Sequence, residues 1–285
     1  MSTRLKTWFM VVSAAITLSS GAAVHAQVVA APAASVPPAA SSAVWMMGEV
    51  HDNPQAHFFR LQDLGKALGG TWRPAILMEQ FDTDRQDALT QAWQTCKDAD
   101  CVVKQAGSAS GWDWSFYKPL INLALQYRLP LVAGNLSREQ AREVMKSGYR
   151  AVFDQKTIDQ FGLDKPLAPA LASAQAQAVD LGHCSTLDPK TVEAMVKGQV
   201  ARDVNFAQLI QRYASQGVVL VAGNGHVRRD IGVLQWLSPE LASRVVVSGY
   251  VEPNGLDATL FDRIRVVEPH QRPDPCKGLK QSMAR

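Results

Sequence analysis

Two hydrophobic runs of this chain end in the same pattern, a glycine followed three residues later by a histidine. The run VWMM leads into GEVH, which ends at His51, and the run VVLVA leads into GNGH, which ends at His226. Neutral imidazole is a common metal ligand and the most frequent general base of enzymes. The two motifs therefore predict one functional site that contains both histidines.

A carboxylate follows a third apolar run. Glu79 comes directly after AILM, and a buried carboxylate costs free energy unless it is paired. An ion pair with Arg73 or Arg85 is one explanation. The other is a site of His51, His226 and Glu79, which could bind a divalent metal ion such as zinc or place a base beside a water molecule.

Basic and aromatic side chains could complete this site. Arg228 and Arg229 follow the GNGH motif, and guanidinium groups recognise carboxylates on a ligand. The run WDWSFY at 112–117 could be core packing at the start of a helix or an apolar wall for a flat ligand. No HExxH or GxSxG motif is present, so zincin and serine-hydrolase chemistry lack motif support.

Five short apolar runs indicate the elements that must position these residues, at 43–47, 75–78, 129–133, 218–222 and 244–247. They are continuous and not alternating, as in strands that are buried on both faces. Helical patterns separate them, which predicts an α/β fold with a central, mostly parallel sheet flanked by helices. The carboxyl ends of parallel strands line a ligand crevice, so His51, Glu79 and His226 should meet there.

The remaining segments have distinct compositions. Residues 1–26 have a basic start, an apolar stretch and a small-residue cleavage site, which predicts a signal peptide. Residues 27–43 are rich in Ala, Pro and Ser, a composition that predicts a flexible linker. A single domain over 44–268 carries a helical insertion at 137–215, after the third strand, that could act as a lid. Residues 269–285 are rich in Pro and Lys, and we expect them to form a loosely held tail.

Charge and cysteine content restrict the partners and the compartment. Without Arg4 and Lys6, 27 basic and 26 acidic side chains remain, a net charge of +1, and the basic residues form no stripe, which argues against nucleic acid. Four cysteines in an exported chain fit two disulfides, for example Cys96–Cys101 and Cys184–Cys276, although the other two connectivities stay open. We expect a periplasmic or secreted protein. No cysteine suited to lipidation follows the apolar stretch, so membrane attachment is not expected.

Several motifs together resemble a known family. GEVHDN, LMEQFD, WDWSFYKP, AGNLSR, QVARD and GNGHVRRDIGV occur in the order seen in the ChaN-like family, over roughly residues 44–240. That family is part of a superfamily with Tiki, TraB and erythromycin-esterase relatives, and its signature is two GxxH motifs and a separate glutamate. The resemblance implies an α/β sandwich that binds haem during iron acquisition at the bacterial envelope.

The resemblance also implies haem held between paired subunits with tyrosine ligation, and hence a homodimer. Tyr149, in the helical insertion, is the preferred candidate for this ligand, and Tyr213 is another. Arg228 and Arg229 would pair with the propionates, and His51 or His226 could reach the iron.

Two functions follow. The favoured one is an exported haem-binding protein of haem or iron uptake. The alternative is a metal-dependent hydrolase of peptide, ester or lactone bonds, in which His51, Glu79 and His226 hold the ion, or Glu79 and His51 act on a bound water. A scaffold with two structural histidines is the third interpretation.

Overall fold

The computed structural model describes residues 44–107, 111–253, 257–274 and 276–277. The predicted signal peptide and linker lie outside the described residues, as do the last eight residues of the predicted tail. Within the described ranges, no helix is both long and apolar enough to cross a membrane.

Six strands form one sheet in the order β3-β2-β4-β1-β5-β6, and all of its strand pairs are parallel. This confirms the predicted α/β fold with a parallel sheet. The strands are β1 Val44–Met47, β2 Ala75–Asp82, β3 Leu131–Asn135, β4 Val218–Val221, β5 Val245–Val251 and β6 Arg263–Val266.

The sequence predicted five of these strands and missed β6. β6 has the sequence RIRV and lies half-exposed at the edge of the sheet. Continuous apolar runs are typical of strands that are buried on both faces, and a half-exposed edge strand with alternating arginines does not have this pattern. Two predicted strands also end too early. The runs at 75–78 and 244–247 continue as β2 to Asp82 and as β5 to Val251.

The register of the central strands decides where the site residues lie. β1 and β4 are neighbours with Met47 opposite Val221, and β2 and β4 are neighbours with Met78 opposite Val221. Three strands therefore bring equivalent residues to the same level at one edge of the sheet. The GEVH motif, Glu79 and the GNGH motif follow these residues directly.

Helices cover both faces of the sheet. They are α1 Pro54–Ala67, α2 Gln86–Thr95, α3 Ala99–Ala106, α4 Lys118–Tyr127, α5 Arg138–Ser147, α6 Gln155–Phe161, α7 Pro169–Gly182, α8 Pro189–Tyr213, α9 Asn224–Val227 and α10 Pro239–Ala242. One apolar cluster packs α1 to α4 against Trp45, Met47 and neighbouring strand residues. A second packs α8 and the later helices against Val44 and Met46 on the opposite face.

The segment after β3 contains four helices, α5 to α8, and has an apolar cluster of its own around Val144, Ile158 and Val200. Its first helix begins with a capping box formed by Ser137 and Gln140. α8 then returns to the sheet and packs against β3, β2 and β4. This segment therefore brings helical side chains to the end of β4, where His226 lies.

The described residues of the tail form specific contacts with the domain. Arg272 donates hydrogen bonds to Asp52, beside the GEVH motif, and to Glu252, at the end of β5. Cys276 forms a disulfide with Cys184, and Cys96 forms one with Cys101, which confirms the pairing named first among the three connectivities. The described part of the tail thus connects the first strand end with the end of α7.

Candidate functional site

The structure brings His51, Glu79 and His226 together at the carboxyl edge of the sheet. The Glu79 carboxylate is buried, and its Oε2 accepts a hydrogen bond of 2.7 Å from the backbone N–H of Gly223. Its Oε1 lies 3.6 Å from Nε2 of His226. Among the described residues, neither Arg73 nor Arg85 forms an ion pair with Glu79. Arg73 donates to the carbonyl of Leu68, and the Arg85 guanidinium lies beside Gly107.

His226 is buried between two carboxylates. Its Nδ1 lies 2.6 Å from Oδ1 of Asp203, which α8 contributes, and its Nε2 faces Glu79. Burial alone would lower the pKa of His226, but the charges of Asp203 and Glu79 outweigh it and raise the pKa above 6.5. Both ring nitrogens face carboxylate oxygens and the residue is only 6% exposed, so His226 is not open to a metal ion or to haem iron.

His51 is the exposed member of the set, with 46% of its side chain accessible. Its Nδ1 lies 2.7 Å from Oε1 of Glu49, and a carboxylate can only accept, so Nδ1 carries the proton of the neutral ring. The lone pair is then on Nε2. This atom lies above Gly223, where a Cβ atom would be only 2.9 Å from it and 3.7 Å from Oε2 of Glu79.

A buried polar network around Glu49 fixes the position of the His51 side chain. Glu49 is 2% exposed and forms an ion pair with the fully buried Arg60. Its Oε1 also accepts hydrogen bonds from the Tyr117 hydroxyl at 2.7 Å and from Gln80 at 3.2 Å. Burial lowers the pKa of Arg60 to about 10 and raises the pKa of Tyr117, so Arg60 stays charged and Tyr117 stays protonated at neutral pH.

His57 supports the His51 backbone. Arg60 can only donate, so Nδ1 of His57, 2.9 Å from Nη2, must accept, and Nε2 then donates to the His51 carbonyl at 2.9 Å. Burial lowers the pKa of His57, which favours this neutral form. Asn53 caps the following helix through two backbone N–H groups. The loop that carries His51 is therefore held on both sides.

The aromatic run belongs partly to the core and partly to the surface beside His51. Tyr117 is fully buried, whereas Trp112, Trp114 and Phe116 are half-buried. The ring centroids of Trp112 and His51 lie 4.9 Å apart in an edge-on contact. Both interpretations of this run apply, because one residue packs in the core while the indole of Trp112 forms an apolar wall next to the imidazole.

The two arginines after GNGH are already neutralised. Arg228 forms a two-point ion pair with Asp230, at 3.0 and 2.7 Å, and Arg229 pairs with Asp262 at 2.8 and 2.7 Å. Each would have to exchange its aspartate for a ligand carboxylate before it could hold a propionate.

Tyr149 lies in a short 3-10 turn, Tyr149–Ala151, and packs against the apolar cluster of the insertion. Burial raises the pKa of its hydroxyl to about 12, which works against a phenolate ligand. Tyr213 packs against the apolar cluster that contains Val44 and Met46. The structure therefore brings neither tyrosine to the three strand ends.

Sequence reasoning missed the residues that orient the histidines. Asp203 comes from a helix and reaches His226 across the fold, and Arg60 lies on the inner face of α1. Asp203 did carry a signal, since it ends the QVARD motif. Among the described residues, no group of three or more His, Cys, Asp or Glu side chains could hold a metal ion. The divalent-metal hypothesis therefore gains no support from this geometry.

The fold and the site define an all-parallel α/β protein with two GxxH histidines and a glutamate at the strand ends. Over residues 36–237 the chain matches the model of the family described as haem-binding uptake, Tiki superfamily, ChaN. The chain belongs to this ChaN haem-binding family. No curated protein matches it in sequence.

Two solved structures that resemble the chain differ in the extent of the likeness. A structure entitled cofacial heme binding to ChaN of Campylobacter jejuni matches with a TM-score of 0.64 at 16% identity, covering 78% of this chain and 87% of that one. A mutant of erythromycin esterase EreC in its open conformation matches with a TM-score of 0.42 at 10% identity, covering 75% and 71%. The first match confirms the α/β architecture.

Proposed function

We propose that this protein binds haem and that His51 would hold the iron through Nε2. One observation carries the proposal. Of the two GxxH histidines, only His51 is exposed, and its Nδ1–H is held by Glu49 so that Nε2 presents a lone pair. A ligating histidine typically donates its other ring N–H to a carboxylate or carbonyl, which fixes the ring and increases its basicity.

The surroundings of His51 fit a porphyrin. The half-buried indole of Trp112 contacts the imidazole of His51. Phe116 stacks on the neighbouring His57, with ring centroids 4.8 Å apart. These rings offer apolar surface to a flat macrocycle, while Glu49 accepts the Nδ1 proton of the ligand. Bound haem would supply an iron centre for ligand binding and electron exchange.

We further propose that the protein is exported and serves haem or iron uptake at the bacterial envelope, in the periplasm or as a secreted protein. The signal-peptide pattern of residues 1–26 supports this compartment. So does the pairing of all four cysteines, because disulfides persist in oxidising compartments. A homodimer with haem between two copies belongs to the same proposal, and size-exclusion chromatography with and without hemin tests it.

Hemin titration of the purified protein tests haem binding. We expect a saturable, shifted Soret band in the wild type and in His270→Ala, which changes an exposed histidine of the tail. His51→Ala should weaken binding at least about ten-fold, about 1.4 kcal/mol. Tyr149→Phe should leave the spectrum unchanged. A spectrum that is lost in Tyr149→Phe and retained in His51→Ala would transfer the ligand role to the tyrosine.

A further inference from the structure

A cavity of about 590 Å³ lies inside the helical insertion, separate from the exposed face of His51. α5, α7 and α8 form its walls, and Gly225 and Ile231, from the segment after β4, close one end. Ligand pockets usually have volumes of about 300–1,000 Å³, so this cavity is large enough for an organic molecule.

The walls of the cavity are mostly apolar and adaptable. Met145 and Met195 face it from α5 and α8, and Val179 faces it from α7. Methionine side chains are flexible and polarisable, so they can adjust to ligands of different shape. The walls therefore favour an apolar body without fixing its outline.

Arg202 supplies a positive charge to this apolar cavity. Its Nη1 donates to the carbonyl of Leu136 at 2.9 Å and to Oδ1 of Asn135, which are both uncharged. Within the described ranges, no carboxylate lies within ion-pair distance of this guanidinium. Burial lowers the pKa of Arg202, while the charges of Glu79, Asp82 and Asp203 act in the opposite direction from beyond ion-pair distance.

The other charged groups of the cavity are already paired. Arg228 is bound to Asp230, and the carboxylate of Asp203 is bound to His226. Among the described residues that line the cavity, Arg202 is therefore the cation without a directly paired carboxylate, and a ligand could provide one. A guanidinium binds a carboxylate in a two-point geometry, and this interaction is stronger in a partly desolvated site.

From this geometry we infer that the cavity binds an organic carboxylate with an apolar body, anchored by Arg202. A fatty acid and a porphyrin propionate share this chemistry. The inference does not rest on iron ligation by His51, so it can fail or hold independently of the proposed function.

Calorimetric titration with decanoate tests the inference, with decanamide as the uncharged ligand of the same shape. Decanoate should bind the wild type, His51→Ala and Arg212→Gln equally, since Arg212 is exposed on the same helix. Arg202→Gln should weaken binding at least ten-fold, and Arg202→Lys should restore part of it. Ala178→Phe, which adds bulk to the wall formed by α7, should abolish binding.

Metal-free protoporphyrin IX, added to His51→Ala, separates the two sources of the carboxylate. If it displaces decanoate and needs Arg202, the anchor serves a propionate. If decanoate binds through Arg202 and protoporphyrin does not compete, the anchor serves a fatty acid. Equal affinity for decanoate and decanamide, equal binding by Arg202→Gln and Arg212→Gln, or no binding of either carboxylate would overturn the inference.

Discussion

Glu49 and Arg60 form an ion pair that is buried beneath His51, and neither residue is exposed by more than 2%. Removing one partner of a buried pair leaves the other charge unpaired in a poorly solvated interior. The sequence showed Glu49 beside His51 but gave no sign of Arg60. The pair therefore explains why the first GxxH motif contains a glutamate.

Glu49→Gln should lower the free energy of unfolding by about 3–5 kcal/mol, because Arg60 keeps its charge and loses its counter-ion. Asp100→Asn breaks the exposed pair with Lys118 and should cost about 0–1 kcal/mol. Urea denaturation of both variants measures the difference. Losses of similar size in the two variants would contradict the role assigned to the buried pair.

Gly223 determines how closely His51 can approach Glu79. In Gly223→Ala the new Cβ atom would lie 2.9 Å from Nε2 of His51, so the imidazole must move. We expect at least a ten-fold loss of hemin affinity with a native circular dichroism spectrum. Gly225→Ala is the matched control, because no atom lies within 4 Å of its added Cβ, and its affinity should be unchanged. Equal affinities in the two variants would place the haem away from Nε2.

His57 and His226 should give opposite contributions to the pH dependence of stability. Burial lowers the pKa of His57 below 6.5, so its contribution is present above this pH and is lost as the pH falls. Asp203 and Glu79 raise the pKa of His226 against the effect of burial, so its contribution is present below pH 6.5 and is lost as the pH rises.

Denaturation of the wild type, His57→Gln and His226→Gln between pH 5 and 9 measures these contributions. The stability gap between wild type and His226→Gln should narrow above pH 6.5, and the gap to His57→Gln should narrow below it. Gaps that do not depend on pH, or that narrow in the reverse sense, would contradict the assigned protonation states.

At the scale of elements, the sequence predicted the central strands because each one is buried on both faces. It could not predict that β1 and β4 are neighbours, because 174 residues separate Val44 from its partner Val218. This pairing, with β2 on the other side of β4, is what places the two motifs and Glu79 at one level. The similar strand ends suggested the site, and the register of the sheet accounts for it.

The two disulfides should stabilise the fold to different extents. Cys184 and Cys276 are 92 residues apart, so their bond restricts a long loop of the unfolded chain, whereas Cys96 and Cys101 are five apart. By loop entropy, removing the first bond should cost about 4–5 kcal/mol and removing the second about 2 kcal/mol. Denaturation of the two double Cys→Ser variants compares them. A smaller loss for the Cys184–Cys276 pair would show that the tail adds little to stability.

At the scale of the whole molecule, the insertion and the tail supply what the motifs alone do not show. α8 provides Asp203, which holds His226, and the tail provides Arg272, which holds Asp52 next to His51. These contacts join segments that are far apart in the chain, so pattern analysis predicts the segments but not their partners. The result is one exposed histidine hydrogen-bonded to Glu49 and one buried histidine between Asp203 and Glu79.

Haem ligation by His51 is tested by the spectrum of the hemin complex of His51→Gly, recorded with and without added imidazole. The variant leaves a space where the side chain was, and free imidazole could enter it and hold the iron in place of His51. We expect the wild-type Soret band to be lost in His51→Gly and to return when imidazole is added. A wild-type spectrum in His51→Gly without imidazole would contradict haem ligation by His51.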